Sequence, residues 1–335
     1  MSRSRYFVIR TLQTVFMMWA LLTFLFFLFR AMPGSFVDIM MAEGANPEAI
    51  AQFEKKWNLN DPLYIQYWKY LVNFITLDVG TSIQFGANIW TYTRMKIFNT
   101  LILAIPAITT AYALATLIGS YMGTNRGSRS EKFGVISLTT LSSFPAFVLG
   151  IFVVIIFALK LNFFPSSGMI PPEVSLRFED APWWRPYLTT AFFSHYILPF
   201  SVIIFRFLMG PTMIMRTSVV EVLGQDFIYY QEVSGLPTSN RLRHITKHSI
   251  IPVLTLYPIQ LAQAISGLVV LELIFNWPGI GHALVQAVLA RDFPVAQFVF
   301  FVSASLVIIS NFLVDIAYGI IDPRISVEGE GEAAN

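Results

Sequence analysis

Residues 98–122 read FNTLILAIPAITTAYALATLIGSYM and contain no charged side chain. A run of about 20 apolar residues is long enough to cross the roughly 30 Å hydrocarbon core of a bilayer as a helix. Pro106 and Gly119 lie inside the run, where they would weaken a helix in water. In a membrane they are tolerated because neighbouring helices satisfy the freed backbone groups. The stretch therefore predicts a transmembrane helix.

Five further stretches have the same character, and none alternates polar with apolar residues as the strands of a membrane barrel do. They span roughly residues 8–30, 134–159, 196–216, 250–275 and 297–321. The whole chain has 335 residues, of which 55% are hydrophobic and 13% charged, whereas soluble proteins carry about 25% charged residues. We predict an all-α polytopic membrane protein with about six transmembrane helices, forming a single membrane domain over residues 1–335.

The first stretch is predicted to be a retained helix and not a signal peptide. Its uncharged run from Thr11 to Phe29 exceeds the 7–15 residues, roughly, of a signal peptide's apolar core. Short loops rich in Lys and Arg stay in the cytoplasm, and here they are the N-terminal segment, 123–133 and 217–249. We therefore expect both termini in the cytoplasm, with residues 31–96 and 160–195 on the outer side.

Signals for bound cofactors or catalysis are weak in this sequence. No lysine follows a glycine, so the phosphate-binding loop of nucleotide hydrolases is missing. There is no cysteine, and His244 and His248 lie beside Arg243 and Lys247, which would repel a cation. The net charge of +2 is too small to suggest a nucleic-acid surface. We predict no catalytic residue, no metal site, no cofactor on this chain and no nucleic-acid partner.

Charged residues inside the predicted spans are more specific. Arg206 lies within the fourth span, Glu272 near the outer end of the fifth and Asp315 within the sixth. A charge at such a depth costs at least a few kcal/mol and usually faces a cavity or a partner. Arg206 either lines a translocation pathway, where it can meet a carboxylate on a substrate, or forms a structural ion pair with Glu272 or Asp315.

Two glutamines and one glutamate are further candidates for that pathway. Gln260 and Gln263 lie one turn apart in the fifth span, and Glu272 follows them. The glutamines either line a polar pathway with Arg206 or form hydrogen bonds between helices.

The loop 217–249 is far longer than a connection between two spans requires. Its sequence predicts a helix, a turn at Gly235 and a second helix, with the chain re-entering the membrane before Pro252. Such a helix pair is suited either to docking on a soluble partner or to lying on lipid headgroups.

Several short sequence motifs are distributed along nearly the whole chain. They include Phe29–Gly34 (FRAMPG), Leu77–Ser82 (LDVGTS), Phe164–Gly168 (FPSSG), Arg216–Ser218 (RTS) with Glu221–Leu223 (EVL), Asp226–Phe227 (DF), Glu272–Gly281 (ELIFNWPGIG), Ala290–Pro294 (ARDFP), Asp315–Gly319 (DIAYG) and Asp322–Arg324 (DPR). In these motifs the chain resembles the first permease subunit of the dipeptide, oligopeptide and nickel importers, which are ATP-driven and depend on a binding protein. It departs from the family's Glu-Ala-Ala loop pattern at Tyr229, Tyr230 and Gln231.

The resemblance implies the membrane-domain fold of a type I ABC importer in the cytoplasmic membrane of a prokaryote. It also implies a second permease subunit, two ATPase subunits that bind ATP and Mg, and an extracytoplasmic substrate-binding protein. The loop would couple to the ATPases through Glu221, Asp226, Gln231, Glu232, Gly235, Leu236 and Arg241.

Di- or oligopeptides are the expected cargo, with oligosaccharides or nickel as alternatives for the same machine. A stand-alone channel or secondary transporter is a further alternative. A secondary transporter is typically built from inverted repeats, and the sequence shows no internal repeat.

Overall fold

The computed structural model describes residues 3–31, 41, 46–57, 59–82, 84 and 86–321. The chain divides into two compact units, one of residues 1–100 with 278–335 and one of residues 101–277. The motif Asp322–Arg324 and the second half of Phe29–Gly34, residues 32–34, lie outside the described residues.

Helices make up most of the described chain. In chain order they are α1 (Arg3–Arg30), α2 (Pro47–Trp57), α3 (Leu63–Ile75), α4 (Ile89–Thr124), α5 (Arg129–Ser142), α6 (Ala146–Val153), α7 (Pro172–Arg177), α8 (Thr190–Leu223), α9 (Asp226–Val233), α10 (Thr238–Ser249), α11 (Ile251–Gly267), α12 (Val269–Ile274), α13 (Ile280–Leu289) and α14 (Phe293–Ile321). A π-helical segment, Val154–Lys160, continues α6, and a 3₁₀ turn, Arg185–Leu188, precedes α8.

The core of the first unit is aromatic. Helix α3 is amphipathic, and it buries Tyr70 and Phe74, one turn apart, against α1 and α14. The ring of Tyr70 lies 5.3 Å from that of Phe26 on α1, and the ring of Phe74 lies 5.8 Å from that of Phe298 on α14. Helices α2 and α3 both lie in the segment 31–96, which was predicted to connect the first two spans.

Two of the sequence motifs meet in this first unit. Asp292, from the motif Ala290–Pro294, is fully buried and accepts a hydrogen bond of 2.5 Å from the Ser82 hydroxyl. The Gln84 N–H donates to the same carboxylate oxygen at 3.2 Å. A buried carboxylate is tolerated when donors surround it, so this contact ties the end of Leu77–Ser82 to the start of α14.

In the second unit α4 and α8 approach closely at glycines. A Cβ atom added at Gly119 would lie 2.6 Å from Cβ of Met215 and 2.7 Å from the carbonyl oxygen of Thr212. At Gly123 it would lie 2.7 Å from Cβ of Val219. Small residues at these positions let the two helices come close in a membrane.

Four helices are long and apolar enough to span a membrane, and they coincide with four of the predicted stretches. They comprise Arg5–Arg30, Ile89–Thr124, Thr190–Leu223 and Phe293–Leu313. A fifth span results if α5 is taken together with α6 and its π-helical continuation, Ala146–Lys160. The protein is therefore a multi-pass membrane protein.

The predicted third span, 134–159, is not one straight helix. Helices α5 and α6 are bent by 97° at the break between Ser142 and Ala146. Pro145 immediately precedes α6. Proline has no N–H for the helix ladder, and it disfavours helical angles at the residue before it, Phe144. Hydropathy alone does not predict this break because the residues on both sides of it are apolar.

The predicted fifth span, 250–275, is also interrupted. Helix α11 ends at Gly267 and α12 begins at Val269. Leu268 between them keeps right-handed helical angles, so the interruption is local. Gly267 has no side chain to pack, which weakens a helix interior.

The predicted fourth span, 196–216, is too short at both ends. Helix α8 starts at Thr190, where the Thr189 hydroxyl accepts a hydrogen bond from the Phe192 N–H. It continues to Leu223. Helix α8 therefore extends into the segments that were predicted as the loops 160–195 and 217–249.

Candidate functional site

Arg206 lies midway along α8, with prolines at positions 199 and 211 of the same helix. The helix is long enough to cross the bilayer, so an arginine at its centre is far from either end. Pro211 has no N–H to donate to the carbonyl of Phe207. The helix backbone is therefore more polar than usual within one turn of Arg206.

Two open cavities of about 240 and 300 Å³ meet at this point of the second unit. Arg206, Phe207 and Gln263 line both of them. The larger one is also lined by Gln260, and by Ser142, Met209 and Gly210. The smaller cavity is completed by three large apolar residues and three small ones, namely Ile203, Leu268, Leu271, Ala146, Ala264 and Gly267.

The predicted pathway residues Arg206, Gln260 and Gln263 are thus brought together on α8 and α11. Glu272 is not part of this group, because its side chain is fully buried and lines neither cavity. It belongs to α12, after the break at Leu268. The prediction that Glu272 lines the same pathway was made from its depth in the sequence, which says nothing of the direction in which a side chain points.

Arg206 has no carboxylate partner within the described residues. Three other arginines do pair with carboxylates, namely Arg10 with Asp315, Arg216 with Glu131, and Arg241 with Glu232. The guanidinium of Arg206 lies 5.5 Å from the ring centre of its neighbour Phe207 and is exposed in the chain taken alone. Asp315 pairs with Arg10 at 3.3 Å within the first unit.

Gln260 presents an amide group to the larger cavity. Its Oε1 atom is buried, and no described residue donates a hydrogen bond to it. A Cβ atom added at Gly210 on the facing helix would lie 3.3 Å from Nε2 of Gln260. The absence of a side chain at Gly210 therefore leaves room for this amide.

The second candidate site is the helix pair α9–α10, which was predicted from the loop sequence and is confirmed. Between the helices Gly235 has φ +71°, a left-handed conformation that only glycine adopts without strain. A Cβ atom there would meet nothing within 4 Å. The requirement for glycine is thus conformational and not steric.

Hydrogen bonds and one ion pair hold this turn. The Gly235 N–H donates to the Glu232 carbonyl and the Leu236 N–H to the Gln231 carbonyl, both at 3.0 Å. Arg241 of α10 pairs with Glu232 of α9 at 3.1 Å. The two helices are therefore tied to each other across the turn.

The remaining predicted coupling residues lie around the start of α9. Asp226 is its first residue, where a carboxylate suits the positive end of the helix dipole, and Glu221 is exposed on the last turn of α8. Tyr229 and Tyr230 of α9 are 66% and 67% exposed. Together with Val233, which is 68% exposed, they make one side of α9 apolar and uncovered by the described chain.

Sequence reasoning missed one charged pair. Glu131 is buried at the start of α5, and it accepts a hydrogen bond of 2.5 Å from the Gly127 N–H and one of 2.6 Å from Nε of Arg216. The Gly127 N–H and the Arg216 guanidinium hold the pKa of this carboxyl below its usual value. Ser128 caps the helix by accepting from the Glu131 N–H at 3.1 Å. The Ser-x-x-Glu spacing is a known start signal for helices and could have directed attention to Glu131.

Comparison with known protein families gives two matches that together cover most of the chain. Residues 115–327 match the family described as "Binding-protein-dependent transport system inner membrane component". Residues 3–104 match the N-terminal family of the same membrane components.

Individual relatives match along nearly their whole length. The oligopeptide transport system permease protein AppB of Bacillus subtilis is 29% identical, over 96% of this chain and 98% of the relative. The di/tripeptide transport system permease protein DppB of Pseudomonas aeruginosa is 32% identical over 90% and 92%. The dipeptide transport system permease protein DppB of Escherichia coli K12 is 30% identical over 95% and 98%.

Proposed function

Because this chain belongs to the family of inner membrane components of binding-protein-dependent transport systems, we propose that it is a permease subunit of an importer of di- or oligopeptides. The supporting observation is the full-length similarity to permease proteins of peptide transport systems. Members of this family are membrane subunits with the fold of a type I ABC importer, and the long apolar helices of this chain agree with that role.

In the proposed complex this chain forms half of the translocation pathway and a second permease forms the other half. Two cytoplasmic ATPase subunits bind ATP and Mg, and an extracytoplasmic binding protein delivers the peptide. The Lys and Arg residues of the short loops support cytoplasmic termini, in the cytoplasmic membrane of a prokaryote. The outer segments 31–96 and 160–195 then face the binding protein.

Coupling to the ATPases is assigned to α9 and α10. The helix pair is short, and its members are tied by the turn at Gly235 and the pair Glu232–Arg241. A displacement applied to the exposed face of α9, with Tyr229 and Tyr230, is then passed on as a rigid-body movement. Helix α10 runs to Ser249 and α11 starts at Ile251, so such a movement reaches the helix that carries Gln260 and Gln263.

The test of this function is uptake into proteoliposomes. This chain is co-expressed with the candidate second permease and ATPase subunits, and the purified complex is reconstituted with the binding protein and ATP inside. We expect ATP-dependent uptake of radiolabelled trialanine. Uptake of maltotriose or Ni²⁺ instead of the peptide would contradict a peptide cargo, and uptake by this chain alone without ATP would contradict the importer.

A series at Gly235 tests the coupling helix pair. Gly235→Asn keeps most of the coupling because asparagine tolerates the left-handed region, whereas Gly235→Ala is strained by about 1 kcal/mol. Gly235→Pro removes the N–H bonded to Glu232 and cannot reach a positive φ. We expect co-purification of the ATPase to fall in that order while the second permease stays bound. Equal ATPase binding by all three variants would contradict the assignment.

A further inference from the structure

The charge of Arg206 carries no structural explanation within its own unit. An arginine at the centre of a span is costly, and it is normally offset by a partner or by a polar cavity. The carboxylates of Asp315, Glu131 and Glu232 pair with other arginines, and no described carboxylate pairs with Arg206. The guanidinium instead borders both cavities.

We propose that Arg206 and Gln260 form a subsite for a carboxylate of the transported peptide and the amide next to it. The inference rests on the proposed function and deepens it, since it names the group of the substrate that this permease recognises. Arg206 is the specificity-determining residue, and Gln260 assists it.

The chemistry of the two side chains fits this ligand. A guanidinium offers parallel N–H donors that match the two oxygens of a carboxylate. The amide of Gln260 offers both a donor and an acceptor, as a peptide bond requires. Its Oε1 atom is buried without a partner among the described residues, which is unfavourable for an acceptor. A rotation of the amide towards the cavity lets this atom accept from a peptide N–H.

The size and the walls of the cavities agree with a passing residue and not with a tight site. Volumes of about 240 and 300 Å³ lie at or just below the lower end of small-molecule pockets. The amide of Gln260 occupies the space left by the missing side chain at Gly210. Mostly apolar residues line the smaller cavity. Conduction requires binding that is favourable enough to enter and weak enough to leave, and a single ion pair in an open cavity meets that condition.

The absence of cysteine from the chain makes a charge-restoration experiment possible. In the reconstituted complex Arg206→Cys provides a thiol that is unique within this subunit. It is left free, or it is modified with aminoethyl, ethyl or sulfonatoethyl methanethiosulfonate, which add a positive, neutral or negative group of similar length. The readout is the initial rate of ATP-dependent trialanine uptake at low peptide concentration.

We expect the free and ethyl-modified thiols to lower uptake about tenfold or more, as loss of a charged hydrogen bond does. The aminoethyl group restores most of the rate, and the sulfonatoethyl group abolishes it. Uptake that is independent of the added charge overturns the inference. Uptake that fails in the wild-type complex as well overturns the proposed function, and the inference with it.

Phe205→Cys is the matched control. Phe205 adjoins Arg206 on α8, is 40% exposed and lines neither cavity. The three reagents should leave its uptake unchanged, and the wild-type complex treated in the same way reports any reaction at partner subunits. Sensitivity of the Phe205→Cys complex equal to that of Arg206→Cys would show a general effect on the membrane and contradict the subsite.

The source of the carboxylate is distinguished with two amidated peptides, trialanine amide and Ala-Glu-Ala amide. Each is first shown by calorimetry to bind the binding protein. If the terminal carboxylate is the ligand, the wild-type rate is low for both and Arg206→Gln has no further effect. If any substrate carboxylate serves as the ligand, the wild-type complex takes up Ala-Glu-Ala amide faster than trialanine amide. Arg206→Gln then removes this difference. Equal and Arg206-independent uptake of all three peptides would overturn the subsite.

Discussion

Arg206 and Arg216 lie on the same helix, α8, but their surroundings are opposite. Arg216 pairs with the buried Glu131 through two of its nitrogens, while Arg206 faces two cavities without a carboxylate among the described residues. Arginine thus forms a structural ion pair at one position of α8 and has no described carboxylate partner at the other. The comparison teaches that the partner, and not the residue type or its depth, decides what a charge in a membrane helix does.

The backbone follows the same division. Beside Arg216, helix α8 lies so close to α4 that Gly119 and Gly123 have no room for a side chain. Beside Arg206, Gly210 faces the flexible end of Gln260 instead. The part of α8 near Arg216 is therefore closely packed against α4, and the part near Arg206 borders the two cavities. Four experiments, in order of the expected size of the effect, test this difference.

The largest effect is expected for Gly119→Ala. Its Cβ atom would overlap Met215 and the Thr212 carbonyl, and overpacking of this kind costs about 1–3 kcal/mol. The thermal unfolding midpoint of the detergent-solubilised protein, followed by tryptophan fluorescence, should fall clearly. Gly210→Ala serves as the control and should barely change it. Equal midpoints for the two variants would show that α4 and α8 are not closely packed there.

The next effect separates the two arginines. Arg216→Gln leaves the Glu131 carboxylate without its cation. Because the Arg216 side chain is 29% exposed, water partly replaces the lost cation, and the unfolding midpoint should fall by a few degrees, less than for Gly119→Ala. Arg206→Gln removes an unpaired charge from a span and should leave the midpoint unchanged or raise it. A fall of similar size in both variants would mean that Arg206 also has a structural partner.

A pH series tests the ion pair between Glu131 and Arg216. Glu131 lies in the first turn of α5, before the predicted span 134–159, and its pKa is lowered by the Gly127 N–H and by Arg216. A lowered pKa contributes stability that is present above the unfolded value of about 4.3 and is lost as the pH falls through the folded value. The difference in midpoint between wild type and Glu131→Gln should therefore be constant from about pH 7 to 5 and shrink below about pH 4. A difference that persists unchanged in acid would show that the charge of Glu131 is not involved.

The smallest effect is expected for Gly210→Ala in transport. Its methyl group would lie 3.3 Å from Nε2 of Gln260, a contact that a small rotation of the glutamine relieves. We expect peptide uptake to fall about twofold, less than 1 kcal/mol of binding energy, with the unfolding midpoint unchanged. Gly134→Ala is the control, because its neighbour is the flexible Met122 side chain and it lines neither cavity. A larger loss of uptake in Gly134→Ala than in Gly210→Ala would contradict a pathway at Gln260.

Much of the fold follows from hydropathy and turn chemistry, since these are local properties. The long apolar runs identify α1, α4, α8 and α14, because a segment of that length without charges has no other stable place than a bilayer. The helix pair around Gly235 follows from the polar loop and its glycine. The breaks at Pro145 and at Gly267 were missed, because in membranes proline and glycine are tolerated within helices and their presence alone does not predict a break.

The motifs were enough to recognise the family, and the sequence pointed to Arg206, Gln260, Gln263 and Glu272 as candidates for one pathway. Only the tertiary structure decided which charge has a partner. Glu131 and Arg216 are 85 residues apart, and Arg10 reaches Asp315 from the other end of the chain. Such pairs depend on which helix faces meet, and hydropathy gives the depth of a residue but not the direction of its side chain. That direction places Arg206 at the cavities, and it buries Glu272 away from them.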